Sequence, residues 1–208
     1  MKLTIFGATG GTGKHLVRQA LDAGHEVTAV VRDPSRLDVN DPRMHVEQRD
    51  VFDVAAITPT VEGRDAVVSA LGSGDRAPTT VHTDGARSIM QAMRAGGVRR
   101  FVAVSAAGHT TEASDPLTMR LAQLFLKRFL KHPYADMVRM EKEIRASDLD
   151  WTIVRPPKLE NRPHTGRYRT AINQHVQRYT IGRADLADGI LRMLDDEQTV
   201  RAMVGIAS

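Results

Sequence analysis

Three glycines at fixed spacing, set between an apolar run and a helical pattern, constrain this chain more than any other feature. Lys2-Leu3-Thr4-Ile5-Phe6 is a short β-type run, followed by Gly7-Ala8-Thr9-Gly10-Gly11-Thr12-Gly13. His15–Ala23 then reads as a helix, with Leu16, Val17, Ala20 and Leu21 on one face and Gly24 as its stop. In a strand–turn–helix unit each glycine has a task. Gly7 permits the sharp exit from the strand, Gly10 lets backbone N–H groups approach a pyrophosphate, and Gly13 lets the helix pack close to the sheet. A pyrophosphate then sits at the positive end of the helix dipole. The bland alternative is a tight turn, and the strand–turn–helix context weighs against it. A Walker A loop does not fit, because Ala8 replaces its first glycine and His15 follows Lys14 where Ser or Thr is required.

The rest of the chain repeats the strand–helix alternation. Glu26–Val31, Met44–Gln48, Ala66–Ala70, Phe101–Ser105 and Trp151–Val154 read as strands, and Thr79–Ala95 as a helix stopped by Gly96-Gly97. Runs such as Thr28-Ala29-Val30-Val31 are almost continuously apolar, which suits strands covered on both faces. The expectation is a doubly wound, Rossmann-type parallel α/β sheet flanked by helices, with residues 1–208 as one domain. Lys158–Gly166 is expected to be a long loop. Leu117–Lys131 is expected to be an amphipathic helix that packs on its own sheet, with a membrane surface, a second subunit or a pocket cover as alternatives. His132-Pro133 is expected to break it, and Tyr134–Ala146 to resume as another helix.

The end of the second strand bears on the cofactor. NAD sites want a carboxylate there for the ribose 2′-hydroxyl. This chain has Arg32, followed by Ser35 and Arg36. A guanidinium can bind a 2′-phosphate through two parallel hydrogen bonds, so NADP(H) is favoured over NAD; the alternative is a solvated surface arginine. Asp33 could cap a helix or turn instead.

Other classes are argued against. There are no cysteines, which removes disulfides, thiolate metal sites and cysteine nucleophiles. The eight histidines lack ligand spacing such as H-E-x-x-H, so no metal is expected. The net charge of +4 is modest and spread out, so no nucleic-acid partner is expected. No apolar run approaches the roughly 20 residues of a membrane span. The start carries no secretory signal features, so a cytoplasmic location is expected. A monomer or homodimer is expected.

These motifs together resemble the atypical short-chain dehydrogenases/reductases, in particular the group containing NmrA-like proteins and the flavin reductase/biliverdin-IXβ reductase. The resemblance runs from Gly7–Gly13 and Val31-Arg32-Asp-Pro-Ser-Arg36 through Asp50-Val51, Leu71-Gly72, Pro78-Thr-Thr-Val81 with Gly85-Ala-Arg87, Trp151–Pro157 with Thr165–Tyr168, and Arg183-Ala-Asp185-Leu-Ala187. It implies cofactor contacts from Gly7, Thr9, Gly10, Gly11, Thr12, Gly13, Arg32, Arg36, Asp50, Val51, Leu71, Gly72, Ser105 and Pro156. On the residues alone, Asp50 reads equally as a helix cap, and Asp185 as a structural carboxylate in the first turn of a helix.

Ligands in open α/β sheets bind at the carboxyl ends of the strands, which puts Ser69, Ser105, Ala106 and Arg155–Lys158 near a nicotinamide. The Tyr-x-x-x-Lys pair of many short-chain dehydrogenases is absent, since Tyr134, Tyr168 and Tyr179 are not followed by lysine four residues on. Ser105 and Lys158 are the catalytic candidates: Ser105 as a hydrogen-bond donor to acceptor or nicotinamide, Lys158 as a contact for an acidic acceptor. Their alternatives are a serine satisfying its own backbone and a solvated loop lysine. Tyr168 could wall the acceptor site, and His109 or His164 could donate protons, although surface loop positions suit both histidines. The expected activity is NADPH-dependent hydride transfer to a flavin, quinone or tetrapyrrole-like acceptor. A non-catalytic NADP(H) sensor of the NmrA-like type is the second reading. A sugar-nucleotide epimerase is a poor fit without the tyrosine–lysine pair.

Overall fold

A computed structural model gives the fold, and it describes residues 1–72, 77–107, 131–174, 176 and 178–208. The expected helix Leu117–Lys131 lies outside the described residues except for Lys131, and His109 lies outside them as well. In chain order the elements are β1 (Lys2–Phe6), α1 (Gly11–Asp22), β2 (Glu26–Val31), β3 (Met44–Gln48), α2 (Val54–Val61) and β4 (Ala66–Ser69). There follow α3 (Val81–Ala95), β5 (Arg100–Val104), α4 (Lys131–Arg145), β6 (Asp150–Arg155), β7 (Lys158–Glu160), β8 (Arg169–Ile172), β9 (Thr180–Gly182), α5 (Arg183–Leu194) and β10 (Ala202–Ala207).

The main sheet has eight strands among the described residues, in the order β3-β2-β1-β4-β5-β6-β10-β8. All its pairings are parallel except β10 with β8. From β1 the chain first winds outward through β2 and β3, then returns to the other side of β1 through β4, β5 and β6. The order therefore reverses between β1 and β4, which is where open α/β sheets leave a crevice for a ligand.

Apolar residues on both faces of the central strands hold the layers together. On one face Leu3, Ile5, Val27 and Ala29 meet Leu16, Val17 and Ala20 of α1 and Leu186 and Ile190 of α5. On the other, Phe6, Val30, Val67 and Phe101 meet Ile57 of α2, Ile89 and Met93 of α3 and Met140 and Ile144 of α4. Alternate side chains of β1 thus enter separate cores, Leu3 and Ile5 one and Phe6 the other, with Thr4 buried and its hydroxyl donating to the Thr60 carbonyl.

Three boundaries differ from the sequence expectation. Helix α1 begins at Gly11 rather than His15, because the glycine loop itself forms the first turn. The described part of helix α4 runs from Lys131, so His132 and Pro133 lie within it rather than before it. Residues 158–166 are not all loop: Lys158–Glu160 pairs in parallel with Thr180–Gly182 as a two-stranded sheet.

Candidate functional site

The glycine loop is fixed by contact. Gly7 has φ +78°, and a Cβ there would lie 2.4 Å from the carbonyl oxygen of Ala70, where the chain leaves β4. A Cβ on Gly13 would lie 2.1 Å from the Gly7 carbonyl oxygen. The Gly10 N–H donates to that same carbonyl at 3.0 Å, so Gly10 closes the turn rather than offering its own N–H to a ligand. No side chain caps α1 at Gly10. The first N–H groups of a helix have no intrahelical acceptor, so the uncapped end is suited to an anion.

A cleft of about 570 Å³ opens at this end of the sheet, within the size range of small-molecule and cofactor sites. Its walls include Gly7, Thr9, Gly10, Gly11, Thr12, Arg32, Arg36, Asp50, Val51, Leu71, Gly72 and Ser105. It also takes in His82, Met137, Leu159 and Arg183, which the sequence reading did not propose as site residues. Gly13 lies behind the wall, packed on Gly7.

At one end Arg32 and Arg36 are exposed. Among the described residues neither has a carboxylate within ion-pairing distance. Asp33 does act as a turn cap, accepting from the N–H and hydroxyl of Ser35 at 3.1 and 2.6 Å. Asp50 accepts from the Phe52 N–H at 3.0 Å, whereas the cap of α2 is Asp53, which accepts from Ala56. The expected helix-capping alternative for Asp50 is thus corrected by three positions.

Arg183, at the start of α5, reaches over the glycine loop. A Cβ on Gly11 would lie 2.7 Å from its Nε, and its guanidinium donates to Asn161 Oδ1 at 2.8 Å. Its position was legible only as the start of a late helix, since its role depends on a long-range approach.

At the other end Ser105 is buried. Its hydroxyl donates to Glu141 Oε1 at 2.7 Å, so the expected donor to a ligand is engaged and only the oxygen lone pairs remain. Glu141 also accepts from Arg155 Nε at 2.9 Å, and a second guanidinium nitrogen binds its other oxygen. This buried pair locks β5, β6 and α4 beneath the cleft.

The remaining candidates lie elsewhere. The Lys158 side chain is 75% exposed and sits 3.5 Å from Glu160; it is not part of the cleft wall, and neighbouring Leu159 is. Pro156 and Ser69 are buried outside the wall, and the Pro156 carbonyl accepts from the Ala107 N–H at 2.8 Å. Tyr168 is not among the residues that line the cleft. It packs against Gly189 of α5 and donates to Asp188, and burial with that carboxylate raises its pKa well above the ordinary range. His164 is half exposed, 3.7 Å from Asp188 and outside the cleft wall. Asp185 is structural. It accepts from the N–H and hydroxyl of Thr165 and from the Gly166 N–H, at 2.7, 2.8 and 2.9 Å, and so pins the segment after β7 to α5.

Among the described residues, no group of histidine and carboxylate side chains could hold a metal ion, and no helix is long and apolar enough to cross a membrane.

Comparisons with known proteins agree with this geometry. The NAD(P)H-binding family model matches residues 7–197. An uncharacterized chloroplastic protein of Arabidopsis thaliana is 30% identical, over all of this chain and 76% of its own length. A 3-diazoavenalumate denitrifying reductase from a Streptomyces species is 31% identical, over 81% of this chain and 59% of its own. In fold the chain is similar to a short-chain dehydrogenase/reductase of Veillonella parvula DSM 2008 solved in complex with NADP. That likeness has a TM-score of 0.85 at 19% identity and covers 100% of this chain and 94% of that one. With a family match that spans nearly the whole chain and a Rossmann-type sheet opening at its switch point, this protein belongs to the NAD(P)H-binding family.

Proposed function

We propose that this protein is an NADPH-dependent reductase acting on a flavin, a quinone or a similar conjugated acceptor. One observation carries the reading: a single cleft with two unlike ends. The end at β2 presents Arg32 and Arg36 with no carboxylate partner among the described residues, and the end at β5 is mainly apolar, with Val104, Met137 and Leu159 around Ser105.

The residues present fit the cofactor. Gly11 and Thr12 at the uncapped start of α1, with Arg183 above them, would hold the pyrophosphate, Gly10 giving it room to approach. Arg32 and Arg36 would hold the 2′-phosphate, with Asp50, Val51, Leu71 and Gly72 along the wall. When bound, NADPH supplies the two-electron reductant. The chain's own task is orientation and exclusion of water. Ser105, immobilised by Glu141, can accept a hydrogen bond from an N–H of the bound ring system. Missing the tyrosine–lysine acid, the site suits acceptors whose reduction needs no strong enzymic acid at the reacting carbonyl.

Steady-state assays of NADPH oxidation with FMN, riboflavin, quinones and tetrapyrroles test the proposal. Turnover with at least one class is expected. Tight NADPH binding with no turnover on any of them overturns it in favour of a dinucleotide-responsive regulator. That second reading is favoured by one observation, the engagement of both Ser105 and Arg155 by Glu141, which leaves few free polar groups at the β5 end.

A further inference from the structure

We infer that His82, backed by Asp136, is the proton donor to the acceptor at the β5 end of the cleft, an assignment that rests on the reductase reading above. His82 lies in the first turn of α3, is only 2% exposed, and forms part of the cleft wall beside Val81, Ser105 and Met137. Its Nδ1 is 3.0 Å from Asp136 Oδ2. Asp136, on α4, is fully buried and also accepts from the His82 N–H at 2.9 Å and from the Thr83 hydroxyl at 2.6 Å. Burial opposes the charge on Asp136, but the hydrogen bonds from Thr83 and His82 outweigh it and keep the carboxyl below its ordinary range. A carboxylate accepts only, so Nδ1 must carry a proton, and this fixes the tautomer and the ring orientation.

The other ring nitrogen has no such explanation. Nε2 is buried and has no hydrogen-bond partner. An orphaned buried polar atom is costly to the fold unless something binds it. Nε2 is the ring nitrogen that Asp136 does not engage, on a residue that forms part of the cleft wall. A wall histidine oriented by a buried carboxylate, with its second nitrogen left without a protein partner, is the arrangement of a general acid–base group.

The proton step balances simply. Two electrons and one hydrogen reach the acceptor from NADPH and leave a negative charge on a conjugated oxygen or nitrogen. The Nε2–H bond of the imidazolium breaks, its electron pair stays on the ring, and the proton joins that atom. Asp136 remains ionised, and solvent reprotonates the ring. The sum is NADPH, acceptor and one proton giving NADP⁺ and the reduced acceptor. The other charged groups of the cleft are Arg32, Arg36, Arg49, Asp50 and Arg183. Arg139, on α4, lies 3.4 Å from Asp136, and Glu141 is paired with Arg155.

The test combines kinetics with spectroscopy. His82→Asn keeps an amide that can donate to Asp136 and removes the titrating nitrogen. NADPH affinity is expected to stay within about threefold, while kcat with the accepted flavin or quinone falls about a hundredfold. The wild-type loss of kcat with rising pH, from deprotonation of the imidazolium, should be missing from the variant. In wild-type protein labelled with ¹⁵N-histidine, long-range ¹H–¹⁵N spectra should show His82 protonated at Nδ1 when neutral and gaining its second proton at Nε2. A His82→Asn enzyme with wild-type kcat and pH profile overturns the inference and leaves the reductase reading standing. So does a neutral His82 protonated at Nε2, which the spectra report even if the variant fails to fold. Absence of turnover by the wild type with every acceptor overturns both.

Discussion

Gly13→Ala measures how tightly the glycine loop is built. The added methyl would lie 2.1 Å from the Gly7 carbonyl oxygen, 2.8 Å from Ala8 Cα and 2.9 Å from the Ala8 carbonyl carbon, all backbone atoms. Ordinary contact starts at 3.4 Å, so relief requires a movement of roughly 1 Å, which a close-packed interior absorbs poorly. Leu16, Val17 and Ala20 hold α1 from behind, so the helix cannot retreat without opening the core. Overpacking costs about 1–3 kcal/mol, and the backbone on both sides argues for the upper part of that range. Alanine returns less than about 1 kcal/mol as the better helix former, since Gly13 lies in the first turn. The net expectation is a loss of about 2 kcal/mol, read as a lower urea midpoint with an unchanged slope. NADPH affinity, followed by nucleotide fluorescence, should fall more than about tenfold, because the displaced loop is the one proposed to hold the pyrophosphate. Gly10→Ala, whose Cβ would meet the Gly7 oxygen at 3.2 Å, should cost less, and Gly72→Ala, with nothing within 4 Å, should leave stability unchanged. A Gly13→Ala protein with the wild-type midpoint and NADPH affinity refutes the reasoning.

Arg32→Ala should weaken NADPH by more than about tenfold while leaving NADH within about twofold, because only the 2′-phosphate needs the guanidinium. Parallel fluorescence titrations decide it, and equal losses for the two nucleotides remove that role. Arg100→Met should destabilise by about 3 kcal/mol in chemical denaturation. The Arg100 guanidinium donates to the carbonyls of Asp150, Met193 and Leu194 and to the hydroxyls of Thr152 and Thr199, all of which lose that donor. Asp185 sets a pH dependence. Burial opposes its charge, but the hydrogen bonds from Thr165 and Gly166 hold the folded carboxyl below the ordinary value of 3.8. Its stabilisation is therefore complete above that value and lost as pH falls through the lower folded one. Asp185→Asn should flatten the fall in stability below about pH 4 relative to wild type, as measured by denaturation midpoints across that range.

Much of the first half of the fold was legible because its information is local. β1 and β2 follow from largely apolar runs, and the stop of α3 from Gly96-Gly97, with no knowledge of the rest of the chain. The late strands were not. Ala202–Ala207 follows Arg201, at φ +55°, and becomes a sheet strand only by inserting between β6 and β8. Helix α2 is eight residues long with Pro59 inside it, so its pattern is too short and too interrupted to read.

By itself the sequence determined the cofactor loop. The spacing of Gly7, Gly10 and Gly13 along one turn is also their spacing in space, so chemistry and geometry are read from the same few residues. The position of Arg32 at the end of β2 is local in the same sense. Only the tertiary structure decided what faces the rest of the cleft. Ser105 meets Glu141 across 36 residues, and His82 meets Asp136 across 54. The first pairing depends on α4 packing against the sheet, and the second on α3 and α4 packing against each other. In the sequence a histidine and an aspartate so far apart carry no mark of each other; packing makes them neighbours and leaves one imidazole nitrogen buried without a partner.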